Sequence, residues 1–134
     1  MIKIQIKDKV MNDLQIEEGE NVEEKIREVF STKHILKNFN ESTKTNYIEI
    51  FKTPIIKKMF SNSEIMSSIK QFLKNDLVIS KTSRNSFMHR NTLIYRFKKL
   101  KKIIGLDLKK FNDAVIFNNM IDVKEYLDEK NLVI

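Results

Sequence analysis

His89, Arg90, Asn91 and Thr92 stand in one run, and Tyr95 and Arg96 follow about a helical turn later. Arg and Asn can each bond a purine edge at two points, Arg at guanine O6 and N7, Asn at adenine. Lys98, Lys99 and Lys102 come just behind this run, and Ser80, Lys81, Thr82 and Arg84 just ahead of it. That concentration of cations suits a polyanion, because each neutralised phosphate releases condensed counterions. The expected division of labour puts Arg90, Asn91, Thr92, Tyr95 and Arg96 at base edges. Ser80, Lys81, Thr82, Arg84, His89, Lys98, Lys99 and Lys102 are expected at phosphates, where contacts set register without reading sequence. Ser80 and Thr82 join that set because hydroxyls and free N–H groups at a helix start hold phosphate.

The charge is local. Lys81 to Lys110 contains ten Lys/Arg against one acid, Asp107, a net of +9. All other residues together hold 15 bases and 17 acids, a net of −2, in a chain of formal charge +7. The basic stretch is therefore a patch rather than a general property of the surface.

Plainer readings of the same residues stay open. His89 can cap or pack at a helix start, and Asn91 can serve as the cap instead. Tyr95 can lay its ring on the domain and only graze a ligand. A lysine cluster such as Lys98–Lys102 is, taken alone, usually a solvated face. Its place behind the His89–Arg96 run favours the polyanion. Phe72, Phe97, Phe111 and Phe117 read as core rather than as stacking platforms.

Several classes of chemistry lack their residues. With no Cys, disulfides, thiolate catalysis and cysteine zinc sites are excluded. His34 and His89 lie far apart without patterned acids, a poor metal site, so no metal or cofactor is expected. No serine sits in a glycine-rich elbow and no glycine loop can cradle phosphate, so the chain is not expected to be an enzyme. No apolar run reaches the roughly 18 residues that cross a bilayer. The first residues, MIKIQIKDK, lack a signal-peptide core, which points to the cytoplasm.

The elements that would position the basic run are helical. With two Gly and one Pro in 134 residues, a sandwich or barrel with many tight turns is disfavoured. Ile2, Ile4 and Ile6 alternate with polar residues, suggesting one short strand that either pairs with its copy in a second subunit or frays. Glu17–Glu20 reads as an acidic loop, with Asn21 capping a helix whose face is Val22, Ile26, Val29 and Phe30. Ser31–Thr32 breaks it, and His34, Ile35, Leu36 and Phe39 continue. Asn40–Ser42 restarts a helix bearing Tyr47, Ile48, Ile50 and Phe51. Pro54 fits the first position of a helix to Phe60, with Thr53 as cap.

Three elements then follow in close order. Ser63 is expected to cap a helix with Ile65, Ile69, Phe72 and Leu73 inward, ending at Asn75–Asp76. Leu77–Ile79 reads as an apolar connector, and Ser80 as the cap of a short helix, Lys81–Phe87. The third helix carries the basic run. Leu93, Phe97, Leu100 and Ile104 form its buried stripe, and Gly105 stops it. A short second helix with a tight joint before a basic third is the pattern of a helix-turn-helix, whose third helix enters the major groove. A last helix, about Lys110–Asp128, has apolar residues on more than one face, which suggests a subunit contact or a partner domain.

KTSRNSFMHRNTLIYRFKKLKKIIGLDLKKFNDAVIF resembles the C-terminal helix-turn-helix of PucR/CdaR-type regulators of purine catabolism and sugar-diacid use. The resemblance rests on His89–Arg90–Asn91–Thr92–Leu93, Tyr95–Arg96, Gly105–Leu106–Asp107–Leu108 and Phe111–Asn112–Asp113–Ala114. It covers residues 60–127 and implies a DNA-binding transcriptional regulator. Two features depart from the family pattern. Ser83 and Ser86 replace an Ala and a core Leu, and the second change loses roughly 2–3 kcal/mol of burial unless Phe87 and Met88 refill the space. The chain also leaves no room for the large effector-sensing domain common in the family, so no small-molecule effector domain is evident and the family's ligand sensing is not carried over.

The expectation is an all-α chain. Residues 1–60 form a helical, dimerising region with a candidate N-terminal strand, and 61–134 form the helix-turn-helix domain. Its partners are double-stranded DNA and a second copy of itself, through Ile2–Ile6, Val22–Phe39 and the last helix, with no membrane involved. Alternatives are a helix-turn-helix module that binds an acidic protein, and a phage or plasmid-maintenance DNA binder.

Overall fold

A computed structural model describes residues 22–40 and 44–131. Eight helices and no strand occur among the described residues: α1 (Glu23–Val29), α2 (Thr32–Asn38), α3 (Lys44–Lys52), α4 (Pro54–Ser61), α5 (Ser63–Lys74), α6 (Ile79–Ser86), α7 (Arg90–Ile104) and α8 (Phe111–Glu129). The Ile2–Ile6 alternation, the Glu17–Glu20 loop and the Asn21 cap lie outside the described residues.

The helix ends have identifiable causes. Val22, which offers no side-chain cap, precedes α1, and Glu23 and Glu24 supply acid to its first turn. Ser31 caps α2 by accepting from the His34 N–H at 3.2 Å. Pro54 opens α4, but Thr53 does not cap it; its hydroxyl points back to the Glu49 carbonyl at 3.4 Å. For α5 the cap is Asn62 rather than Ser63, with its Oδ1 accepting from the N–H groups of Glu64 and Ile65, each at 3.1 Å.

Side chains from almost every helix share one core. Ile26, Phe30, Tyr47, Phe51, Ile56, Ile65, Phe72, Leu93, Leu100, Phe117 and Leu127 are all buried. Complete burial of a Phe such as Phe30, Phe72 or Phe117 contributes roughly 1.5–3 kcal/mol each. Phe72 packs on Phe97 with ring centroids 4.7 Å apart, joining α5 to α7.

The apolar surplus of α8 is used within the chain. α8 packs against α2 and α3, and Phe39 meets Tyr126 with ring centroids 5.5 Å apart. Asn119 donates to the Phe30 carbonyl at 2.9 Å and the Thr32 hydroxyl at 3.0 Å. Helices of the same chain thus take up much of the apolar pattern of α8. Phe111, expected in the core, is 73% exposed, and Leu36 on α2 is 81% exposed. The expected boundary at residue 60 falls in the last turn of α4, just before its joint with α5, and packing crosses it.

Candidate nucleic-acid interface

α5, α6 and α7 form the three-helix unit, and its joints are built from side chains bonding backbone. At the end of α5, Asp76 and Leu77 are left-handed (φ 61° and 62°), an unusual pair for non-glycine residues. The Leu77 N–H reaches back to the Phe72 carbonyl at 3.1 Å, which closes the helix end. Buried Asn75 donates to the Gln71 carbonyl at 2.7 Å and accepts from Asn85 at 2.6 Å, tying this end to α6. Because the left-handed pair finishes the turn early, α6 begins at Ile79, not after Ser80, and stops at Ser86.

The joint between α6 and α7 is tighter. Phe87 is left-handed, and the Ser83 hydroxyl donates to the Met88 carbonyl at 2.6 Å. Ser83 thereby fastens the turn, which an Ala could not do. The Ser86 hydroxyl is donated to the Thr82 carbonyl, so its polarity is satisfied inside α6. Phe87 does not refill the space beside Ser86, because it points out of the domain and is 96% exposed. Met88 turns inward, its sulfur 3.4 Å from the Ser68 hydroxyl.

α7 presents two different faces. Leu93, Phe97, Leu100, Ile103 and Ile104 are buried against the core. Asn91, Lys98 and Lys102 are exposed and, at spacings of 7 and 4, share the opposite face. Arg90 and Lys101 are exposed beside them, while Thr92, Tyr95 and Lys99 are partly buried at the margins. His89 caps the helix by accepting from the Asn91 N–H on Nδ1 at 3.1 Å, and its ring remains exposed. The cap is therefore His89 and not Asn91, which frees the Asn91 side chain.

Not every expected contact residue faces outward. Arg96 is only 11% exposed. Its guanidinium donates to the Ser68 hydroxyl at 2.7 Å and the Glu64 carbonyl at 3.4 Å, and lies 3.7 Å from the Glu64 carboxylate. It bolts α7 to α5. The helical repeat places it about 140° round from Asn91, on the side of the Leu93 stripe. Thr82 is fully buried and its hydroxyl is donated to the Val78 carbonyl at 2.8 Å. Ser80 and Arg84 are exposed on α6, and Lys81 pairs with Asp76 at 2.7 Å in the open.

The trailing end of α7 is held by residues that sequence spacing did not reveal. Arg27 of α1 donates to the Asp113 carboxylate at 2.7 Å and 3.3 Å, to the Gly105 carbonyl at 3.0 Å and to Glu23 at 3.0 Å. Asp113 also accepts from the Asp107 N–H at 2.8 Å. Burial pushes the Asp113 carboxyl up, but the Arg27 and Asp107 hydrogen bonds and the charges of Arg27 and Lys110 outweigh it, leaving its pKa below the ordinary carboxylate value. Gly105, with φ 79°, lies against the Glu23 carboxylate in the space that a Cβ would need.

Comparison with known proteins places this unit. Residues 65–118 match the family described as the PucR C-terminal helix-turn-helix domain. The carbohydrate diacid regulator of Escherichia coli (strain K12) is 29% identical over 70 residues, 52% of this chain and 18% of that protein. The purine catabolism regulatory protein of Bacillus subtilis (strain 168) is 30% identical over 74 residues, 55% of this chain and 12% of that protein. The chain thus spans less than a fifth of the length of either relative. No solved structure matches the chain significantly.

Proposed function

We propose, from the premise that residues 65–118 are a PucR-type C-terminal helix-turn-helix domain, that this chain binds double-stranded DNA sequence-specifically and regulates transcription. One observation carries the reading. The leading end of α7 offers Arg90 and Asn91 to solvent while its opposite stripe is locked in the core, and Lys98 and Lys102 continue the exposed face. A helix presented in this way fits the major groove, about 12 Å wide. Arg90 and Asn91 are then the base readers, with Thr92 and Tyr95 at the groove margin. Ser80, Lys81, Arg84, His89, Lys98, Lys99 and Lys102 hold the flanking phosphates. Binding rather than catalysis is the activity, and the compartment is the cytoplasm.

A single reader helix covers few base pairs, so the chain acts as a homodimer on half-sites about one helical turn apart. The exposed Leu36 on α2 and Phe111 at the start of α8 are the apolar points at which copies meet.

Fluorescence anisotropy with duplexes selected from a random pool tests the reading. A duplex-specific complex whose affinity falls steeply with salt is expected. Equal affinity for selected and unrelated duplexes would remove sequence specificity, and absence of binding at low salt would remove the function. Sedimentation of protein and complex tests the dimer; a monomer at micromolar concentration and on DNA would refute it.

A further inference from the structure

Phe87, in the turn before α7, combines two unfavourable features. Its side chain is 96% exposed, more than Leu36 at 81% or Phe111 at 73%. Its backbone is left-handed, with φ 57° and ψ 27°, a conformation that disfavours an aromatic residue and that Gly or Asn adopts readily. Neither feature is offset by packing against the described residues. Strain and apolar exposure at one residue point to a contact made outside the molecule.

The direction of that contact follows from the neighbouring residues. Ser83 holds the turn through the Met88 carbonyl. Met88 faces inward to Ser68, and His89 faces outward while capping α7. The Phe87 ring therefore projects from the leading end of α7, in the same run as exposed Arg90 and Asn91 and close in sequence to exposed Arg84. An apolar protein pocket docking there would have to desolvate these cations, whereas DNA neutralises them. In the major groove the apolar group on a base edge is the C5 methyl of thymine, which a Phe ring can meet.

We infer that Phe87 is a specificity-determining residue that lays its ring against a thymine methyl at the edge of the site read by α7. This rests on the DNA-reading function proposed above. The test crosses protein and DNA variants in the full chain. Phe87→Gly and Phe87→Asn both suit the left-handed turn, so their melting temperatures stay level or rise. In a duplex selected by the wild type, each thymine is replaced in turn by deoxyuridine, which lacks only the methyl.

The wild type is expected to lose affinity at one such position. Both variants should bind the selected duplex about fivefold or more weakly, with unchanged salt slope and no remaining preference for thymine there. Variants that bind within twofold of wild type overturn the inference, as does a weakened variant that still prefers thymine at that position. A wild type indifferent to deoxyuridine everywhere also overturns it. If the wild type binds no duplex, the DNA reading itself fails; if only the variants behave as wild type, that reading stands and the Phe87 role falls.

Discussion

The two ends of α7 are held in opposite ways. Its trailing end is clamped by long-range charge: Arg27 bridges Asp113 and the Gly105 carbonyl, and Asp113 fixes the loop through the Asp107 N–H. Its leading end is shaped by short-range bonds, Ser83 to Met88 and Asn91 to His89, and the side chains of His89, Arg90 and Asn91 stand in solvent. The contrast separates two tasks along one helix. Distant parts of the chain fix where the helix sits, and the exposed end carries the groups proposed to meet DNA. Arg96 and Arg90 repeat the contrast with one residue type, since the first bolts α7 to α5 and the second is exposed.

The largest expected effect lies at the clamped end. Asp113→Ala leaves Arg27 and the Asp107 N–H without their partner and is expected to cost about 2–4 kcal/mol of stability, read from urea unfolding. A loss under about 0.5 kcal/mol would show that the clamp is ornamental and would break the comparison.

The two arginines come next. Arg96→Ala should destabilise the fold by about 1.5–3 kcal/mol, because its charged hydrogen bonds to α5 are lost. Arg90→Ala should leave stability within about 0.5 kcal/mol and weaken binding to a selected duplex by about 1–3 kcal/mol. Calorimetry and anisotropy on both variants decide this, and the reverse pattern would exchange their roles.

Acid should act on the clamp in a defined direction. Asp113 has a depressed pKa when folded, so its contribution is complete above the unfolded carboxylate value, about 3.9, and is lost as pH falls toward the folded one. Between pH 7 and pH 3 the wild type should therefore lose more stability than Asp113→Asn. Equal losses would show that the ion pair contributes nothing.

The smallest effect is expected far from both ends. Tyr47 is buried among Phe30, His34 and Phe39, and its hydroxyl has no hydrogen-bond partner among the described residues. Tyr47→Phe should be neutral or stabilise by up to about 1 kcal/mol, with DNA affinity unchanged. A clear loss of stability would mean that the hydroxyl is satisfied after all.

What could be read from sequence was what short-range periodicity encodes. The stripe Leu93, Phe97, Leu100, Ile104 and the stop at Gly105 are contained within α7 and reappear in the structure. The bounds of α6 were less legible, because Asp76 and Leu77 take left-handed conformations without glycine to mark them. The Arg27–Asp113 clamp joins residues 86 positions apart, and Arg96–Ser68 joins residues 28 apart, so no local pattern announces either. Arg96 did leave one usable sign, its angular position on the Leu93 side of the helix. Composition gave no sign that Phe87 and Phe111 point outward, since an aromatic residue in a helical pattern ordinarily marks core.

Amide chemical-shift mapping of the full chain, titrated with its selected duplex, tests the contrast between the two ends most directly. The account predicts that the largest perturbations fall on Phe87–Asn91, the start of α6 and Lys98, while Arg27, Gly105 and Asp113 stay nearly still. Perturbations centred on the clamp or on α2, with the leading end of α7 silent, would contradict it.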